Sequence, residues 1–361
     1  MPKSCYIHIP FCSGGKCKYC SFVSFNKSEL ITGYIYSLLK EISDNYSGET
    51  LKTIYLGGGT PSLVSAELLK KVIGKFNLAD DAEVTTELNP ENGNYDYLKK
   101  LREIGFNRLS IGSQTFDDEL LKLIGRRHDS EDIIKTVENA KNAGFNNISL
   151  DLIYGLPTQT TEGIIKDLDK FLELGIQHIS TYGLKIEKEA FWGNNPPENI
   201  PDEDIQADMY ECINERLTNA GFYRYEISNF AKPGFESKHN LNYWNNEEYY
   251  GFGVSAHGYC GGVRYSNYCT LEKYMNNPSS HEYGKFLTEQ EKLEEEIFLG
   301  FRKTEGININ RIKEKFGIDF EKKYRSVIEK YSDYIIKTQD GFAFNLKGSM
   351  LSNEILPEFL D

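Results

Sequence analysis

At 361 residues, with 39% hydrophobic and 13% aromatic residues, the chain can bury one large core and a small appended domain. A formal net charge of −13 with no Lys/Arg-rich run argues against a protein that grips nucleic acid, because such binding rests on phosphate contacts. No apolar stretch approaches the ~18 residues of a membrane span. The chain enters a strand-like run almost at residue 1, so no signal or transit peptide is expected. Its seven cysteines, an odd count with three clustered, do not form a disulfide framework. The expectation is a soluble cytoplasmic protein with a small-molecule or protein partner, no nucleic acid and no membrane span.

In chain order, strand-like and helix-like segments alternate. Residues 4–11 read as a strand and 30–46 as an amphipathic helix. Residues 53–59 read as a strand, and 65–76 as a helix with Ser65 as its cap. Strands follow at 83–90, 108–116, 147–157 and 178–186, with helical stretches at 95–104, 117–143, 161–174 and 202–220. Gly105, Gly144, Gly175 and Gly221 each stand where a helix should end and an apolar strand begin. Repeated units of this kind predict an α/β fold with parallel strands and helices outside them. Six such units predict a partial (βα)6 barrel, with ligand chemistry at the carboxyl ends of its strands. The expected domains are this barrel over 1–225, an aromatic-rich connecting segment over 226–285, and a winged-helix-like α+β tail over 286–361.

The chemistry begins at Tyr6-Ile-His-Ile-Pro-Phe-Cys12-Ser-Gly-Gly-Lys-Cys17-Lys-Tyr-Cys20. Three thiolates on one loop can hold three irons of a cubane and leave the fourth open. A zinc knuckle would need a fourth ligand nearby, and the next cysteine is Cys212. Free thiols in a reducing compartment are the remaining alternative. Gly57-Gly58-Gly59-Thr60-Pro-Ser then ends the second strand, where absent side chains let a ligand reach the backbone.

This cysteine stretch resembles the radical S-adenosylmethionine (SAM) signature, in the form used by the anaerobic coproporphyrinogen oxidase family and its HemW branch. One departure stands out. The family places three residues between its first two cysteines, whereas four separate Cys12 from Cys17, with Gly14 and Gly15 among them. The resemblance implies a 4Fe–4S cluster on Cys12, Cys17 and Cys20, with SAM on the open iron. Gly58, Gly59 and Thr60 match the Gly-Gly-Thr-Pro motif that meets the methionine part of SAM. Tyr6 and Tyr19 match aromatic neighbours of the SAM site and the cluster. Glu87, Gln114 and Asp151 match polar residues on the third, fourth and fifth strands, and Arg126, in Gly-Arg-Arg-His, matches the arginine that faces the SAM carboxylate.

Downstream, Tyr225-Glu-Ile-Ser-Asn-Phe-Ala and His239-Asn-Leu-Asn-Tyr243-Trp244 resemble the HemW branch, whose His-Asn-x-x-Tyr-Trp motif is implicated in haem binding. By themselves these residues read as a histidine and two aromatics packing the barrel edge. The resemblance instead implies haem on His239, Tyr243 and Trp244, with His257 as the competing ligand. Phe22 stands where the oxidase branch carries a further cysteine, and Tyr6 lies near residue 1 where that branch has a long extension. The expectation is therefore a haem chaperone that hands haem to respiratory haem proteins, a role that allows a homodimer. An oxygen-independent coproporphyrinogen III oxidase and a cluster-less interaction scaffold are the alternatives.

Overall fold

A computed structural model describes residues 1–360. Six parallel strands run in chain order across one sheet: β1 (Ser4–Ile9), β2 (Thr50–Gly58), β3 (Asn77–Leu88), β4 (Arg108–Gln114), β5 (Ile148–Tyr154) and β6 (His178–Gly183). The helices between them are α1 (Ile31–Asn45), α2 (Ala66–Ile73), α3 (Tyr95–Ile104), α4 (Asp118–Ile124), α5 (Ser130–Asn142) and α6 (Thr161–Glu173). The expected partial barrel is present, and alternation explains its layers. Cys5, Ile7 and Ile9 of β1 pack with Tyr34, Ile35 and Leu38 of α1, while Tyr6 and His8 face the other way, into the barrel. On α1 the buried residues Tyr34, Ile35, Leu38, Glu41 and Ile42 follow a helical period and give that helix its inner face.

The glycines foreseen as helix terminators all adopt positive φ: Gly105 at 115°, Gly144 at 91°, Gly175 at 57° and Gly221 at 83°. The helical stretches expected over residues 117–143 are the two helices α4 and α5. Gly125 ends α4 at φ 82°, and a capping box on Asp129 starts α5. The break leaves Gly125-Arg-Arg-His128 as a non-helical segment in which Arg127 is exposed and His128 buried.

After β6 come α7 (Phe191–Asn194), α8 (Glu203–Asn219), β7 (Tyr223–Arg224), β8 (Asn229–Ala231), α9 (Lys238–Trp244) and β9 (Tyr250–Phe252). The sheet grows at both edges, in the order β7-β8-β6-β5-β4-β3-β2-β1-β9. β8 joins β6 antiparallel, and β9 joins β1 parallel. The segment expected to be a connector thus supplies strands to the main sheet, a role its aromatic and glycine-rich composition concealed. It continues as β10 (His257–Cys260), β11 (Val263–Asn267), α10 (Leu271–Asn276) and β12 (His281–Phe286), whose strands make a separate antiparallel sheet.

The tail opens with α11 (Glu289–Gly300) and closes a second core of Leu293, Ile297, Phe301, Phe320, Phe342 and Phe359. Its small sheet has the order β13-β15-β14, from β13 (Ile307–Asn308), β14 (Ile335–Lys337) and β15 (Gly341–Phe344). The β14–β15 hairpin turns at residues 339–341 and is closed by the Thr338 amide donating to the Gly341 carbonyl at 2.8 Å. No helix among the described residues is long and apolar enough to cross a membrane.

Candidate functional site

A cavity of about 480 Å³ opens at the carboxyl ends of the parallel strands. The loop after β1 brings Cys12, Cys17 and Cys20 to its wall. Cys12 is fixed by its amide donating to the Phe25 carbonyl at 3.1 Å, and Thr60 Oγ1 stands 3.8 Å from its sulfur. Cys17 and Cys20 share one turn, with the Cys20 amide donating to the Cys17 carbonyl at 3.1 Å. None of the three is in a disulfide. Burial pushes the Cys20 thiol up, and the other two sulfurs add to that push. Among the described residues, no group of three His, Cys, Asp or Glu converges on one point as ligands of a single ion do. A cubane asks for a different arrangement, since each thiolate takes its own iron at a separate corner.

The glycine run is dictated by close packing. A Cβ on Gly59 would stand 2.6 Å from the Phe11 carbonyl oxygen, and one on Gly58 would stand 2.5 Å from the His8 ring. Every amide of the motif is already engaged. Gly58 N donates to Glu87 Oε2 at 3.0 Å, Gly59 N to the Ile9 carbonyl at 2.9 Å, and Thr60 N to the Phe11 carbonyl at 2.7 Å. The run can therefore offer an amino-acid ligand only carbonyl oxygens, which suit an ammonium group.

Glu87, Gln114, Arg126, Asp151 and Tyr19 also line the cavity. Burial pushes the Glu87 carboxyl up to about 7, with Asp151 adding to the rise against hydrogen bonds from Tyr55 and Gly58. Burial likewise pushes Asp151 up to about 6, opposed by Ser180, Arg108 and Arg126. Arg126 Nη1 donates to Asn89 Oδ1 at 2.9 Å, whereas its Nε is buried with no partner. An orphaned guanidinium donor beside the cavity fits a carboxylate ligand. Gln114 sits at φ 68° where β4 ends, a left-handed conformation that residues other than glycine seldom adopt.

Two comparisons describe domains of the chain. Residues 6–171 match the model of the radical SAM superfamily, and residues 287–347 match that of the HemN C-terminal domain. The chain is 40% identical to the heme chaperone HemW of Lactococcus lactis over 99% of its own length and 97% of that protein. This chain belongs to the HemW family. It is likewise 39% identical to the heme chaperone HemW of Bacillus subtilis, covering 99% of both proteins. The structure of coproporphyrinogen III oxidase (HemN) from Escherichia coli superposes with a TM-score of 0.87, at 24% identity over 99% of this chain and 90% of that one, which shows a shared fold.

Membership of the radical SAM superfamily implies a 4Fe–4S cluster and SAM, and the residues at this cavity fit both. Three unpaired thiols, carbonyls for an ammonium, an orphaned guanidinium donor and two carboxyls poised near neutrality meet in one place. Tyr6 does not join them. It points under the cavity, its hydroxyl 2.9 Å from His8 Nδ1 and its ring stacked on Tyr55 at 6.3 Å. Asn89, Glu91, Ser110 and Tyr182 line the cavity in its place. Asn89 follows Glu87 closely enough for its strand-end position to have marked it, whereas no motif signals Tyr182.

The HemW-type motif on α9 departs from its haem-ligand expectation. The His239 side chain is 1% exposed and sealed inside the barrel. Its Nδ1 lies 2.8 Å from Thr53 Oγ1, its Nε2 lies 2.8 Å from the Tyr243 hydroxyl, and its ring stacks on Tyr55 at 5.2 Å. Burial and the Arg108 charge hold this imidazole down at about 3, so it is neutral, with neither nitrogen free for iron. Glu83 fixes the start of α9, accepting from the Lys238 and His239 amides at 3.1 Å. His239 closes the barrel from within. Tyr243 and Trp244 face a second groove of about 640 Å³, with Tyr249, Arg264, Leu287 and Phe298. There the Trp244 Nε1–H is buried with no partner. His257, the competing ligand, lies exposed on β10.

Proposed function

We propose that this HemW-family protein is a haem chaperone that holds a 4Fe–4S cluster and SAM in the barrel cavity and passes haem to acceptor proteins. The observation that carries this reading is the near-full-length identity to proteins named heme chaperone HemW. Cys12, Cys17 and Cys20 would hold the cluster. Arg126 would take the SAM carboxylate, and the carbonyls of Gly58 and Gly59 its ammonium. Glu87 and Asp151 would face its positive charge, with Gln114 and Tyr19 shaping the walls. When bound, cluster and SAM together supply low-potential one-electron chemistry.

Haem is the cargo. The groove beside Trp244 suits it, since the apolar floor accepts a porphyrin face while the indole N–H, buried without a protein partner, meets a carboxylate. His239 then supports the wall through Tyr243 without touching the iron, and an accessible imidazole such as His257 is the candidate ligand. A Soret-monitored haem titration of the anaerobically reconstituted protein tests the reading. Saturable binding followed by transfer to an apo-haem protein is expected, and absence of binding overturns it. Formation of vinyl products from coproporphyrinogen III, read by mass, would favour the oxidase instead.

A further inference from the structure

The cysteine loop carries a longer gap between Cys12 and Cys17 than its family's form, and it bends at two glycines, Gly14 at φ 70° and Gly15 at φ 104°. A chain with two glycines among four linking residues has many conformations, of which few place both sulfurs at cubane corners. Something must select among them. Nothing lies within 4 Å of a Cβ built on Gly15, but one built on Gly14 would stand 2.5 Å from Arg127 Nη1. The same guanidinium donates through Nη2 to both the carbonyl oxygen and the hydroxyl of Ser13.

Arg127 is well placed to act as a clamp because both its neighbours are anchored. Arg126 is held by Asn89 at 2.9 Å. His128 is buried, with Nε2 3.3 Å from the Ser113 carbonyl and Nδ1 3.5 Å from a Glu91 oxygen. The segment also holds the far half of the loop, since the Lys18 amide donates to the Ile124 carbonyl at 3.0 Å. We propose that Arg127 is the positioning residue of the cysteine loop, pinning Ser13 so that the lengthened gap presents Cys12 and Cys17 to the cluster. The proposal rests on the reading of Cys12, Cys17 and Cys20 as cluster ligands.

The test compares wild type, Arg127→Ala and Arg127→Lys, each alone and with Gly15 deleted to shorten the gap by one residue. The readouts are iron and sulfide per chain, the rate of iron loss to a chelator, and the electron paramagnetic resonance spectrum of the reduced cluster. Wild type should load about four irons. Arg127→Ala should lose iron about three- to tenfold faster, with a broadened spectrum, because a two-point charged contact on the loop is gone. Arg127→Lys should fall between, as a lysine keeps the charge and its donors but lacks the rigid planar fork that holds their direction. The apo forms should unfold at the wild-type temperature, since Arg127 is exposed. With Gly15 deleted, Arg127→Ala should add little, a coupling that the double-mutant cycle measures. Iron loss and spectra unchanged in Arg127→Ala would overturn the proposal, as would equal harm in the long and shortened loops. If wild type itself binds no iron, the underlying cluster reading fails first.

Discussion

Arg126 is the residue whose loss should be felt most directly by SAM. Its Nε is buried without a protein partner, so it is a donor that a carboxylate ligand in the cavity would satisfy. Arg126→Lys keeps the charge and removes the fork, and SAM affinity measured by calorimetry should drop roughly 10- to 100-fold. Glu87 and Asp151 add a pH dependence. With carboxyls raised to about 7 and about 6, both are partly protonated near neutrality, and a cationic ligand prefers them ionised. SAM affinity should therefore rise as pH climbs from about 6 through 7, and fall below that. A flat profile would contradict the placement of the sulfonium and ammonium beside these acids. Their place at the cavity was legible in the sequence, from short motifs on β3 and β5 for Glu87 and Asp151 and from the Gly-Arg-Arg-His motif after α4 for Arg126. Tyr6 and His239 lie away from the places expected of them, because a motif string does not say which way a strand or helix face points. Tyr6 follows the alternation of β1 under the cavity, and His239 follows the helical face of α9 into the barrel.

At the scale of elements, β1 and β2 meet through glycines that leave no room for a side chain. Gly59→Ala would set its methyl 2.6 Å from the Phe11 backbone oxygen, which cannot swing aside as a side-chain end could. A loss of about 2–3 kcal/mol in urea unfolding is expected. The contact of α9 with β2 makes a second case. His239→Ala removes a buried ring and strands Thr53 and Tyr243, so a loss of about 3 kcal/mol near pH 7 is expected. The sign of its pH dependence follows from the depressed imidazole. Below its ordinary value of 6.5, the unfolded chain takes up a proton that the folded imidazole refuses until about pH 3. Wild-type stability therefore falls with acid across that window, and the gap between wild type and His239→Ala should narrow. Periodicity and glycine placement made β1 to β6 and their helices readable. Short strands such as β8 and β9, three residues each, carry no period of their own and exist only because the sheet edges accept them.

Across the whole molecule, two cavities lie on either side of the plug formed by α9. Rings and hydrogen bonds connect them, from Glu87 through the Tyr55 hydroxyl at 3.0 Å, then the stacked His239 ring, to the Tyr243 hydroxyl at the groove. The proposed cluster and SAM belong to one side of this plug and the proposed haem cargo to the other. Three of the groove's four glutamates are matched by cations, Glu295 by Arg264 at 2.6 Å, Glu247 by Arg311 at 3.1 Å and Glu291 by Lys285, while Glu294 accepts from Gln290 at 2.8 Å. The groove was invisible in the sequence because its walls come from α9, β11 and α11, which only the fold brings together.

The most direct measurement is an anaerobic haem titration of the reconstituted protein, followed in the Soret region, beside Trp244→Ala, His257→Ala and His239→Ala. The account predicts saturable binding in wild type and weakening of about tenfold in Trp244→Ala. In His257→Ala the Soret band should shift, while His239→Ala should lose stability but retain haem binding in the fraction that stays folded. A His239→Ala protein of wild-type stability that no longer binds haem would contradict it, and would return the iron to the histidine inside the barrel.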